Sequence, residues 1–195
     1  VSAFLLNRSS DLRLNNLNKE ASQGNFQKVK NIIEKNKFSQ KEIDEAFRGC
    51  IHKYNKNQKE SYINCIKFFL KRTQEINYRN TSYNNTTILM YSIDENQEAP
   101  IDLIISCSKE ELDMNLTDDN GENTLFHLIN NDKFNTRTKI EFIKDFIFVD
   151  FNLNAKNKRG KTIHDILQEK GNMELFEEIK NKIKENKFDQ NKLTL

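Results

Sequence analysis

Internal repetition constrains this chain more than any other feature. Three six-residue segments align: Glu75-Ile76-Asn77-Tyr78-Arg79-Asn80, Asp113-Met114-Asn115-Leu116-Thr117-Asp118 and Asn152-Leu153-Asn154-Ala155-Lys156-Asn157. Each reads acid or amide, aliphatic, Asn, two variable residues, then Asp or Asn. Asn77 to Asn115 is a step of 38 residues, and Asn115 to Asn154 a step of 39. A helix-start signature follows each segment, at Asn85–Tyr91, Gly121–His127 and Gly160–Asp165. A period of this length marks a supersecondary unit too small to bury its own apolar face. Neighbouring units must therefore stack to build a continuous core.

The repeated unit reads as helical. In 195 residues there is one Pro and only five Gly, the two residue types that break helix interiors. Apolar residues recur at three- and four-residue steps in Phe47, Cys50, Ile51, Tyr54 and in Ile63, Ile66, Phe69, Leu70. Phe142, Ile143, Phe146, Ile147 and Leu175, Phe176, Ile179, Ile183 do the same, as amphipathic helices require. Gly121 and Gly160 stand where a tight turn calls for positive φ. Thr87 and Thr162 are placed to cap the helices that follow them. Fourteen Phe supply more burial than a disordered chain would carry.

At these residues the chain resembles the ankyrin-repeat family, whose pattern runs D-x-x-G-x-T-P-L-H-x-A-A, then a second helix, then D-V-N-A. The match is fullest over 152–179, where Asn154-Ala155 and Asn157–Thr162 follow the turn and Gly171–Ile179 follows the second helix. Cys65–Lys71 with Glu75-Ile76-Asn77 resembles a second helix entering the next turn, and Glu20–Ile33 a first repeat without its turn. Ile88, Thr124 and Ile163 replace the family Pro, and Met90, Phe126 and Asp165 its His. The resemblance implies an all-α solenoid of about five helix-turn-helix repeats, near 11–41, 42–77, 78–115, 116–154 and 155–187. A flexible segment 1–10 and a frayed tail 188–195 flank it. The repeats exceed the family length, which places long helix–helix loops at 94–100 and 130–138.

Charge and cysteine usage narrow the function. The net charge of +2 calls for neither nucleic acid nor membrane, and no apolar run nears the length of a membrane span, so membrane insertion is not expected. Lys156, Lys158, Arg159 and Lys161 form a basic turn, and Lys180, Lys182, Lys184 and Lys187 decorate the last helix. Glu177, Glu178 and Glu185 interleave with those lysines as on a solvated face, and no aromatic-rich basic platform accompanies them, which argues against nucleic acid. Residues 94–122 carry ten acids against Lys109 alone, a local charge of −9, which suits a partner with a basic patch. Three widely spaced cysteines (Cys50, Cys65, Cys107) argue for a reducing, intracellular compartment, cytoplasmic or nuclear, and are read as buried inert thiols.

No chemistry-bearing motif stands out. His52, His127 and His164 lie in different repeats without metal-ligand spacing, and His164 is read as a packed histidine. Asp118-Asp119-Asn120-Gly121 resembles part of a calcium loop but puts Leu116 where a carboxylate is required. The expected function is thus non-catalytic, with no cofactor and no metal. In the family, the groove-facing helices and turn tips bind other proteins. By position, the resemblance puts Arg48, His52, Tyr91, Asp94, His127, Asn130 and Asn131 on the groove. It puts Tyr78, Arg79, Tyr83, Asp118, Asp119, Lys158 and Arg159 at the tips. Tyr and Arg bury large area while keeping a polar handle, which marks Tyr91 and Tyr83 as the strongest of these. A composition of 28 Asn and 24 Lys fits an AT-rich genome. It also admits a second reading, in which the chain is the recruiting arm of a longer host-directed effector delivered into host cells by an intracellular microbe or virus.

Overall fold

The structure is a computed structural model that describes residues 2–54, 59–108, 111–146 and 151–193, with side chains described between residues 11 and 185 of these. Among the described residues it is all-helical. The helices are α1 (Ser2–Ser22), α2 (Phe26–Lys35), α3 (Gln40–His52), α4 (Lys59–Arg72), α5 (Ile88–Asp94), α6 (Glu98–Ser108), α7 (Thr124–Asn130), α8 (Thr136–Asp145), α9 (Ile163–Glu169) and α10 (Met173–Leu193). A 3-10 turn covers Thr81–Tyr83.

The chain divides into two compact units, one of Val1–Asn80 with Thr87–Leu112 and one of Thr81–Thr86 with Asp113–Leu195. In the first unit α1, α3 and α5 pack side by side, α2, α4 and α6 do the same, and each odd helix also packs on the even helix that follows it. Its core brings together Leu17, Val29, Phe47, Cys50, Cys65, Phe69, Met90 and Ile101, all essentially inaccessible. Phe47 and Phe69 stack with ring centroids 5.3 Å apart. Each buried ring or aliphatic chain contributes about 1.5–3 kcal/mol. In the second unit α7 packs on α9, α8 on α10, and α9 on α10. Phe126, Leu128, Phe146, Leu167 and Leu175 fill that core.

Helix ends follow local chemistry. Thr87 Oγ1 accepts a bond from the Met90 N–H and Thr162 Oγ1 one from Asp165, the two caps expected from the sequence. Asn123 caps α7 at the equivalent position, accepting from Phe126. At the other ends, α1, α5 and α9 share one closing motif. Gly24, Asn96 and Gly171 sit at φ +65°, +58° and +65°. Their N–H groups reach Ala21, Ile93 and Gln168 carbonyls, and the next N–H reaches Glu20, Ser92 and Leu167. This paired closure satisfies carbonyls that the helix leaves open.

Several expectations are corrected. The α5–α6 connection is a three-residue turn, not a long loop over 94–100, because Asn96 in the left-handed region closes it at once. Helix α1 includes residues 2–10 and α10 runs to Leu193. Cys107 is exposed because its position on α6 turns away from the apolar face of Ile101, Ile104 and Ile105. His164 is half exposed, its ring edge-on to Phe176 at 5.0 Å. Lys109 and Glu110 of the acidic segment, Ile147 of the α8 pattern and the tail residues 194–195 lie outside the described residues.

Candidate interaction surfaces

Two of the turns are built from the last residue of their repeated segment, Asp118 and Asn157. Asp118 Oδ1 accepts bonds from the Asn120 and Glu122 N–H groups, both at 2.8 Å. Asn157 Oδ1 accepts from Arg159 at 3.0 Å and Lys161 at 3.1 Å, the same two offsets. The backbone repeats the match. Asp118 N donates to Glu122 O and Gly121 N to Asp118 O, as Asn157 N does to Lys161 O and Gly160 N to Asn157 O. Gly121 and Gly160 hold φ of +72° and +74°, a region costly for residues bearing a Cβ. Side-chain oxygens of Asp and Asn fold the chain back in this way because they mimic a backbone carbonyl one turn ahead.

Successive tips are joined to each other in the second unit. Asp119 N donates to Asn84 O and Lys158 N to Asn120 O, each at 2.8 Å. Side chains reinforce both joints. Asn85 Nδ2 donates to Asp119 Oδ1 at 2.6 Å. Glu122, itself buried, receives Asn157 Nδ2 at 2.8 Å, Arg159 Nη2 at 2.9 Å and Asn130 Nδ2 at 3.3 Å. Asp119, Lys158 and Arg159 are left exposed along the tips, with Tyr83 half-buried beside them.

In the first unit the notable cluster is polar and buried. Arg48 is fully buried and its Nε lies 2.6 Å from Asp44 Oδ2, which also accepts Asn80 Nδ2 at 2.7 Å. The Arg48 guanidinium stands 4.9 Å from the centroid of the Tyr91 ring, a cation–π distance. Tyr91 is half-buried, so Arg48 supports it from beneath. His52 Nδ1 lies 2.7 Å from Glu95 Oε2, and Asp94 next to it is exposed.

The structure thus separates the sequence-derived candidates. His52, Arg79, Asp94, Asp119, Lys158 and Arg159 are exposed, and Tyr78, Tyr83, Tyr91, Asn130 and Asn131 half-buried. Asn130 is bonded to Glu122, and Asn131 Oδ1 accepts the Lys133 N–H at 2.9 Å. Arg48, Asp118 and His127 face inward, Arg48 because Asp44 holds it and Asp118 because its carboxylate closes its own turn. His127 Nε2 lies 3.7 Å from Asp118 Oδ2. Burial works to raise the Asp118 pKa. His127 beside it and the N–H groups of Glu122 and Asn120 outweigh that and hold it below the usual carboxylate value. Neither Asp44 nor Glu122 stood out in the sequence. The signal for Glu122 was its constant offset of four residues from Asp118, the offset that Lys161 has from Asn157.

The two core thiols are inaccessible. Cys50 and Cys65 are fully buried, and the Cys65 thiol beside it, together with burial, holds the Cys50 thiol well above its ordinary range. Nor is any helix among the described residues long and apolar enough to cross a membrane.

Comparison with known proteins agrees with this architecture at a distance. No profile of a known protein family matches the sequence. Two versions of an ankyrin repeat protein of Variola virus are each 28% identical to it over 113 residues. The aligned part is 58% of this chain and 18% of the viral protein, so the chain spans under a fifth of the relatives it matches.

Proposed function

We propose that this chain is a non-catalytic protein-interaction module that binds a partner protein through helix faces and turn tips. The observation that carries the reading is the joined series of tips, two of which repeat the same internal bonds. Rigid, regularly spaced turns present side chains at fixed intervals without spending ordering entropy on binding. In the first unit the contact residues are Tyr91, His52 and Asp94. In the second they are Tyr83, Asp119, Lys158 and Arg159. Tyr91 is the anchor, since its ring is already immobilised on Arg48. The exposed acids of the 94–122 segment favour a partner with a basic patch. Arg48, Asp118 and His127 act in this reading as supports.

A second reading rests on the comparison. A relative from a virus, covered only over 18% of its length, favours a recruiting arm within a longer host-directed protein whose active part lies elsewhere. Cloning the complete reading frame and testing the chain with and without its flanks separates the two readings.

The testing experiment is affinity capture from lysate with cross-linking mass spectrometry. Wild type is compared with Tyr91→Ala/Asp94→Lys and, separately, with Asp119→Lys/Lys158→Glu, each checked for helicity by circular dichroism. A partner lost from a folded variant supports the corresponding surface. A partner that survives both variants, cross-linked elsewhere, overturns the assignment.

A further inference from the structure

The first unit holds a second charged surface, opposite in sign to the acidic segment and on different helices. A cleft of about 670 Å³ opens between the amino-terminal ends of α2 and α4, and its lining includes Phe26, Lys28, Lys59, Glu60, Ser61 and Asn64. Helices α2 and α4 carry Lys28, Lys30, Lys35, Lys59, Lys67, Lys71 and Arg72 against Glu34 and Glu60, and Glu20 of α1 reaches Lys28. Among the described residues, three of these seven cations have a carboxylate partner. Lys28 touches Glu20 at 3.3 Å but keeps 66% of its side chain exposed. Lys30 and Arg72 share the single carboxylate of Glu34, at 4.0 and 3.7 Å.

Beneath the charge runs an aromatic seam. Phe26 and Phe68 meet edge-on with centroids 6.0 Å apart, both half-buried. We infer that this cleft is a docking site for an acidic, amphipathic segment of a partner protein. Its apolar side chains would lie along Phe26, which Phe68 backs edge-on, and its carboxylates would reach Lys28 and Lys59. Charge complementarity selects the sign of the occupant, and the seam selects a peptide over a bare polyanion. Nucleic acid fits less well. Base stacking needs an open ring face, and the Arg72 guanidinium covers Phe68 at 5.2 Å while Glu34 and Glu60 sit among the lysines. The site is separate from Tyr91 and the tips and does not depend on their role.

Fluorescence polarisation on the full chain tests the inference. The probe is a fluorescein-labelled Glu-rich peptide with central Leu and Phe, set against its Gln-rich and Lys-rich counterparts and a single-stranded oligothymidylate. Saturable, salt-sensitive binding of the Glu-rich peptide alone is expected. It should weaken about tenfold or more in Lys28→Glu/Lys59→Glu and be unchanged in Glu141→Lys, an exposed site on α8. Both lysines are exposed, so the reversal leaves the core intact; circular dichroism checks this, and Lys28→Gln/Lys59→Gln should give an intermediate loss. Equal binding of the Gln-rich peptide, tighter binding of the oligonucleotide, or undiminished binding by the charge-reversed variant overturns the inference. Self-association of wild type that the Glu-rich peptide cannot dissolve, seen by sedimentation, would assign the cleft to a second copy and overturn it as well.

Discussion

Gly24 and Gly171 close two helices with the same bonds at the same φ of +65°, yet they differ in what surrounds them. A Cβ on Gly171 meets nothing within 4 Å. One on Gly24 would lie 2.8 Å from Cδ2 and Cε2 of the Tyr62 ring. That ring cannot swing aside freely, since it is 4% exposed and its hydroxyl donates to the Ser22 carbonyl at 2.9 Å. Replacing either glycine by Ala costs roughly 1–2 kcal/mol for the left-handed backbone, partly offset by a stiffer unfolded chain. Overpacking against Tyr62 adds about 1–3 kcal/mol at Gly24 alone. Gly171→Ala should therefore cost about 1 kcal/mol and Gly24→Ala about 2–4 kcal/mol. Native-state hydrogen exchange at the Asn172 and Asn25 amides reads each change in its own unit. In a Tyr62→Leu background the Gly24→Ala cost should fall to that of Gly171→Ala. Equal costs in the wild type, or no relief in the Tyr62→Leu background, would refute the steric reasoning.

Three further predictions follow from the same structure. Asn96 holds φ +58° with its Oδ1 buried and unbonded, so Asn96→Gly should raise stability by up to about 1 kcal/mol in urea denaturation, while Asn96→Ala lowers it. Arg48→Met leaves Asp44 charged and buried, and should cost about 3–5 kcal/mol, with Arg48→Met/Asp44→Asn recovering a large part in a double-mutant cycle. Asp118 has a depressed pKa in the folded state, so its contribution is full above the unfolded value of about 3.9 and is lost as pH falls through the folded one. Asp118→Asn keeps the turn bonds that Asn157 makes natively. It should lower stability at pH 7 by the contribution of the ionised carboxylate, converge with wild type in acid, and so flatten the acid limb of a stability–pH curve below about pH 4; an unchanged acid limb would contradict this.

Much of the architecture was legible along the chain because it rests on short-range physics. The repeat spacing, the 3.6-residue apolar pattern, the Thr87 and Thr162 caps and the glycine turns all depend on neighbours within a few residues. The terminal Asp or Asn of each segment was visible as a pattern, but its work was not. Asp118 and Asn157 fold their own turns, whereas Asn80 crosses to Asp44 on α3, 36 residues back in sequence. Position in a repeat told which helix carried Arg48 and His127, and nothing about whether a distant carboxylate would draw them inside. That depends on partners brought together by packing: Asp44 for Arg48, Asp118 for His127, and Glu122 for Asn157 and Arg159. The same holds for the cleft between α2 and α4, whose lining comes from two stretches more than thirty residues apart. Composition and periodicity determined that this chain would be a series of capped helices. Tertiary packing alone decided which polar side chains became supports and which remained available to a partner, because burial and ion pairing are properties of the assembled neighbours and not of the local sequence.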